Sequence, residues 1–103
     1  MSLNIIDTKE NINLEDLLEK YEDLKKNNIT NNKITKYERA TIIGTRSQQL
    51  ALGCPPLIDM SSITTDSVIQ IAEQELEQKK IPFILQRKVA DKYEYWKIED
   101  MIL

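Results

Sequence analysis

Tyr37, Glu38 and Arg39 can be imagined as an acid/base set, three adjacent groups of the kinds that move protons. General acid–base chemistry needs such groups to converge on one substrate atom. Neighbouring residues of a helix point about 100° apart, so these three do not converge. Histidine, the commonest general base and zinc ligand, is missing altogether. The single cysteine, Cys54, can form neither an intrachain disulfide nor a structural zinc site. With no histidine to activate it, Cys54 reads as an inert loop or packing residue. No Asp/Glu spacing resembles a calcium loop. No catalytic residue, metal or cofactor is expected.

The same stretch suits binding better. Arg39 and Arg46 stand seven apart and align along one side of a helix, with Glu38, Ile42, Thr45 and Gln49 around them. An apolar anchor flanked by arginines fits a protein interface, where arginine is enriched. A solvated face with one stray isoleucine fits the same pattern. The opposite side carries Tyr37, Ala40, Ile43, Gly44, Ser47, Leu50 and Ala51. Within it, Ala40, Gly44, Ser47 and Ala51 form a strip of small residues. Gly44 costs about 1 kcal/mol of helix propensity against alanine, and close packing is what would offset that cost.

These residues need a helix, and its signals are present. Thr35 followed by Glu38 is a capping box. The helix is predicted to run to about Leu52 and stop at Gly53, before Pro55 and Pro56. Thr65 is the expected cap of a second helix, from Asp66 to about Lys79, with Val68, Ile69, Ala72 and Leu76 on its inner face and Pro82 as its stop. The period then changes. Phe83-Ile84-Leu85-Gln86-Arg87-Lys88-Val89 and Tyr93-Glu94-Tyr95-Trp96-Lys97-Ile98 read as two strands joined by the turn Ala90-Asp91-Lys92. A lone hairpin is barely stable and needs helices or another protein beneath it.

The chain has 103 residues, 41% hydrophobic and 30% charged, with a net charge of −3. That length suits one domain with a tail. Residues 1–34 form an acidic, polar tail with seven acids against five bases. Leu14, Leu17, Leu18, Tyr21 and Leu24 give it a short amphipathic helix over 14–26, with Asn13 as cap. Such a helix is marginal alone, and order conditional on a partner is favoured over permanent packing. Residues 35–103 form the folded body. The expected class is α+β: two main helices followed by a short C-terminal β-hairpin. No apolar run nears the roughly 20 residues that cross a bilayer, no secretory signal is recognised, and the acidic balance argues against independent nucleic-acid binding. An intracellular protein is expected.

The run Thr35-Lys36-Tyr37-Glu38-Arg39-Ala40-Thr41-Ile42-Ile43-Gly44-Thr45-Arg46-Ser47-Gln48-Gln49-Leu50 closely resembles the signature helix of the RNA polymerase family of bacterial omega, archaeal subunit K and the eukaryotic sixth subunit. Gly53-Cys54-Pro55-Pro56-Leu57-Ile58 resembles the loop that follows, where alanine is more usual at position 54. Ile71-Ala72, Glu75-Leu76 and Lys79-Lys80-Ile81-Pro82-Phe83-Ile84 are similar to the second helix and its exit in the archaeal and eukaryotic branch. Arg87, Tyr93-Glu94, Trp96 and Glu99-Asp100 are similar to that branch's C-terminal end. Three features depart from it: Gln86 stands where arginine is usual, Ala90-Asp91-Lys92 replaces a Pro-Asp-Gly turn, and residues 1–34 match no family tail.

The resemblance implies a non-catalytic subunit of a DNA-directed RNA polymerase that binds the largest subunit and promotes its folding and assembly. Nucleic acid would be met only through the complex, with no membrane and no small-molecule substrate involved. On this reading Glu38, Arg39, Arg46 and Gln49 make polar contacts to the large subunit, with Ile42 as apolar anchor. Thr45 faces the partner or bonds a carbonyl of its own helix. Arg87 pairs with partner carboxylates or is solvated. Tyr37, Gly44, Pro55, Pro56, Pro82 and Trp96 are structural, with Trp96 in the core rather than at a contact. Arg46→Glu is expected to impair assembly and leave helix content nearly unchanged. The competing reading is an adaptor module that uses the same fold or its acidic tail. Abundant Ile, Asn and Lys suit an AT-rich genome, such as that of a protist or a large DNA virus, so nucleus, viral factory and virion are the expected locations.

Overall fold

The structure, a computed structural model, describes residues 3–7 and 15–103. The fold class is α+β, as the sequence predicts. In chain order the elements are β1 (Leu3–Asp7), α1 (Glu15–Lys26), α2 (Lys36–Ala51), α3 (Val68–Glu77), β2 (Phe83–Val89) and β3 (Lys92–Lys97), with short 3₁₀ turns at Met60–Ser62 and Ile98–Asp100. The chain divides into two compact units. Residues 1–33 combine with 82–102, and residues 34–81 form most of the other unit. The expected division into a tail and a body is therefore not the one observed.

In the first unit the sheet has three strands in the order β1-β2-β3, all antiparallel. β1, which the sequence does not announce, pairs with β2 from Leu3↔Arg87 to Asp7↔Phe83. The hairpin closes through Val89↔Lys92, so its loop is the two residues Ala90 and Asp91. Ala90 takes a left-handed φ of 57°, a conformation that a side chain disfavours. Tyr21, Phe83, Ile84, Leu85, Trp96, Ile98 and Met101 are buried.

α1 packs on β3. The preference for partner-dependent order in the tail is thus overturned: Tyr21 is fully buried, and its Oη donates to Asp100 Oδ2 at 2.6 Å. The proposed cap Asn13 and the first periodic leucine, Leu14, lie outside the described residues. Leu18 and Leu24, expected on the packed side, are exposed.

In the second unit α2 packs on α3. The capping box of α2 closes as predicted, with Glu38 N–H donating to Thr35 Oγ1 and Thr35 N–H donating to Glu38 Oε1, both at 3.0 Å. Gly53 follows the helix with φ +105°, which only glycine adopts without strain. α3 begins two residues later than expected, capped at Ser67 rather than Thr65. Its buried residues are Ile71, Ala72, Glu75 and Leu76, and Ile69, expected inside, is exposed. Leu50, Ile58, Ile71 and Ala72 form a core lined by Ile43, Met60, Ile63 and Val68.

Candidate partner interface on the second helix

The side of α2 that carries both arginines is buried within the chain at Glu38, Ile42 and Arg46, while Arg39 at its edge stays partly accessible. Arg46 is 5% exposed and Glu75 fully buried. They form a two-pronged ion pair, Nε to Oε1 at 2.7 Å and Nη2 to Oε2 at 3.1 Å. Arg46 also donates to Pro55 C=O and to Gln49 Oε1, each at 3.1 Å, and Leu57 N–H donates to Glu75 Oε2 at 2.7 Å. One buried pair therefore ties α2, α3 and the Pro55–Leu57 loop together. Burying two charges is tolerated only when their donors and acceptors are met this completely.

Four of the expected contact residues are consumed within the chain. Ile42 is fully buried and Glu38 nearly so, with Glu38 holding the cap. Arg46 is paired with Glu75. Arg87 is buried too, and it donates to Thr30 Oγ1 at 3.2 Å, Asn31 C=O at 2.7 Å and Lys33 C=O at 3.1 Å. Neither expectation for Arg87, a partner carboxylate or a solvated strand face, fits that burial. Arg46→Glu would set two carboxylates against each other inside the fold, so unchanged helix content is no longer expected. Arg39, Thr45 and Gln49 stay partly accessible. Trp96 is buried, with Nε1–H donating to Thr30 Oγ1 at 3.3 Å.

The exposed face of α2 takes only part of the opposite side, since Ile43 packs on the core and Ser47 and Leu50 are buried. Lys36, Tyr37, Ala40, Gly44, Gln48, Ala51 and the cap residue Leu52 are exposed, Tyr37 at 69% and Leu52 at 81%. After Lys36 this face carries no charge. A Cβ placed on Gly44 would meet nothing within 4 Å. The chain's own packing therefore does not explain a glycine in the middle of a helix, which costs about 1 kcal/mol. Ser47, grouped with the small strip by the wheel, is buried with its hydroxyl oxygen unpartnered among the described residues.

The residues missed are Glu75, which fixes Arg46, and Gln48 and Leu52, which complete the exposed face. Glu75, unlike Glu73, falls on the same helical face as Ile71, Ala72 and Leu76, and that was the available sign of a buried ion pair, because an unpaired carboxylate there would be prohibitive. Cys54 is a half-buried free thiol.

α2 thus presents to solvent a face that is uncharged after Lys36, backed by the Arg46–Glu75 ion pair. The family model described as RNA polymerase Rpb6 matches residues 28–83, and the chain belongs to that family. It is 44% identical over 70 residues to a fission yeast (Schizosaccharomyces pombe) protein, DNA-directed RNA polymerases I, II, and III subunit RPABC2, covering 67% of this chain and 48% of that one. Against the Saccharomyces cerevisiae protein of the same name it is 39% identical over 71 residues, covering 68% and 44%. Against DNA-directed RNA polymerase subunit Rpo6 of Sulfolobus acidocaldarius it is 50% identical over 56 residues, covering 54% and 63%. The chain spans about half the length of the eukaryotic relatives it matches.

Proposed function

We propose that this chain is a non-catalytic subunit of a DNA-directed RNA polymerase, that it binds the largest subunit, and that it promotes folding and assembly of that subunit. The observation that carries this reading is the family match over residues 28–83, which contains α2 and α3 whole. The physical principle is mass action: a chain that binds only the assembled state stabilises that state. Nucleic acid is met through the complex, and the chain works where that polymerase transcribes, in a nucleus or in a viral factory.

The exposed face of α2 is the surface we assign to the large subunit. Tyr37 and Leu52 bracket it, Ala40, Gly44 and Ala51 let a partner backbone come close, and Arg39, Thr45 and Gln49 stand at its margins. Charged residues are depleted at the centre of protein interfaces, and this face has that composition. Glu38, Ile42 and Arg46 support it from behind.

The test is recovery of the very large polymerase subunits with tagged full-length chain, run beside Gly44→Leu. Nothing in the free chain obstructs a side chain at position 44, so the variant should fold and gain up to about 1 kcal/mol. Its recovery of the large subunits should fall at least tenfold. A wild-type chain recovered without any polymerase subunit would overturn the function. Undiminished assembly by Gly44→Leu would overturn the surface.

A further inference from the structure

Leu3–Asp7 and residues 15–33 lie against the C-terminal hairpin in the first unit. The hairpin β2–β3 has two edges, and an open edge is a template for a strand of another chain. In an antiparallel ladder the backbone groups of alternate residues point to opposite sides, so each edge can be followed group by group.

On the far side of β2, the edge is taken by β1, backbone to backbone over five residue pairs. On the far side of β3, two backbone groups are taken by side chains. Lys97 N–H donates to Tyr21 Oη at 2.9 Å, and Tyr95 C=O accepts from Asn28 Nδ2 at 3.0 Å. Both capping side chains are held in place. Tyr21 is anchored by Asp100 and lies beneath two ammonium groups, Lys97 Nζ at 4.7 Å and Lys25 Nζ at 5.4 Å from its ring centre. Asn28 is followed by Ile29 and Thr30, whose N–H groups donate to the buried Glu94 carboxylate at 2.7 and 3.1 Å. The edge that β1 itself creates is also blunted, because Ile5 N–H turns to Asn4 Oδ1 at 3.1 Å.

We propose that Leu3–Asp7 and residues 15–33 are an intramolecular guard that covers both edges of the C-terminal hairpin and so keeps it from pairing with a second copy of this chain. The guarded strands call for it. Phe83-Ile84-Leu85 and Tyr93-Glu94-Tyr95-Trp96 combine high β-propensity with few charges, the composition of segments that pair between chains. The guard does not depend on the polymerase reading, since every contact in it lies within one unit of this chain.

The test uses the full chain with Ile6→Pro, which deletes an N–H that the alternation directs at β2, and Tyr21→Phe, which deletes the oxygen that caps β3. Mass by light scattering across a hundredfold range of concentration and residue-resolved hydrogen exchange are the readouts. Relative to wild type, Ile6→Pro should raise exchange of the Ile84 and Gln86 amides at least tenfold and make the mass grow with concentration. Exchange within α2 should stay within about twofold. Tyr21→Phe should do the same at Lys97, and it decides the matter should Ile6→Pro unfold the whole chain. Wild-type mass at every concentration in both variants would overturn the guard, whatever the exchange rates. So would wild-type exchange at Ile84, Gln86 and Lys97.

Discussion

α1 and α2 each turn one side to solvent, and the two sides are opposites. On α1 the exposed residues include Glu15, Asp16, Glu19, Lys20, Glu22, Asp23 and Lys26, a surface that water satisfies. On α2 the exposed residues beyond Lys36 are uncharged and mostly small, while an acid and an arginine, Glu38 and Arg46, are buried. α1 follows the usual rule of charge outside and apolar inside. α2 inverts it, and an inverted helix needs an internal counter-charge behind it and a reason for the bare surface in front. Glu75 supplies the first. The partner proposed for this face would supply the second.

The largest effect should come from breaking what lies behind α2. Arg46→Leu leaves the Glu75 carboxylate buried against Leu57 N–H with no cation, and removal of one partner of a buried pair costs about 3–5 kcal/mol. Urea denaturation followed by circular dichroism measures it. A loss below about 1 kcal/mol would mean that Arg46 is not held as the structure holds it, and its place as a docking residue would reopen.

The next effect tests the inner side of α1. Tyr21→Phe keeps the ring beneath Lys97 and Lys25 but strips the hydroxyl from Lys97 N–H and Asp100. Both groups are half-buried, and losing a hydrogen bond of that kind costs about 0.5–1.5 kcal/mol. In the protein the Tyr21 hydroxyl is held well above its ordinary pKa by burial, then by the hydrogen bond to Asp100, so it is the protonated donor at every pH of interest.

These two helices also show what was legible in the residues. The boundaries of α2 were, because a capping box and a terminal glycine are local signals that read the same in any context. So was the α+β class, because the change from helical to alternating period is local as well. Which side of α2 faces water was not. A helical wheel groups Glu38, Ile42 and Arg46 correctly but says nothing of what stands opposite, and Glu75 lies 29 residues away from Arg46. β1 escaped for a related reason: Leu3-Asn4-Ile5-Ile6-Asp7 is short, and its partner strand begins at Phe83, far along the chain. The periodicity of α1 was visible, but its permanence was not, because that rests on Asp100 and the backbone of Lys97. One consequence is practical. Deleting residues 1–34 no longer separates a polymerase subunit from a tail-driven adaptor, because the deletion takes β1 and α1 out of a folded unit.

A smaller, pH-dependent effect tests the segment between the two helices. Burial alone would raise the Glu94 pKa, but the Ile29 N–H, the Thr30 hydroxyl and the Thr30 N–H outweigh it and hold the carboxyl below its ordinary value. A carboxyl with a lower pKa folded than unfolded contributes stability above the unfolded value of about 4.3. That contribution drains away as pH falls through the lower folded value. Stability at pH 7 minus stability at pH 3 should therefore shrink in Glu94→Gln relative to wild type. An unchanged difference would remove Glu94 as the acid-sensitive clasp.

The smallest change in stability should separate the two exposed faces most sharply. Glu19→Ala on α1 and Gln48→Glu on α2 both alter side chains that face solvent, and each should move the unfolding free energy by no more than about 0.5 kcal/mol. Their effects on assembly should diverge. A new carboxylate at position 48 would have to be desolvated beneath a partner, at a cost that a surface ion pair rarely repays, so recovery of the large subunit should drop at least tenfold. Loss of one carboxylate from the α1 face should leave it unchanged. Equal recovery for both variants would mean that the bare face of α2 is not where the partner sits, and the inversion of charge in that helix would need another cause. A loss confined to Glu19→Ala would move the contact to α1 and make its charged surface the recognition element.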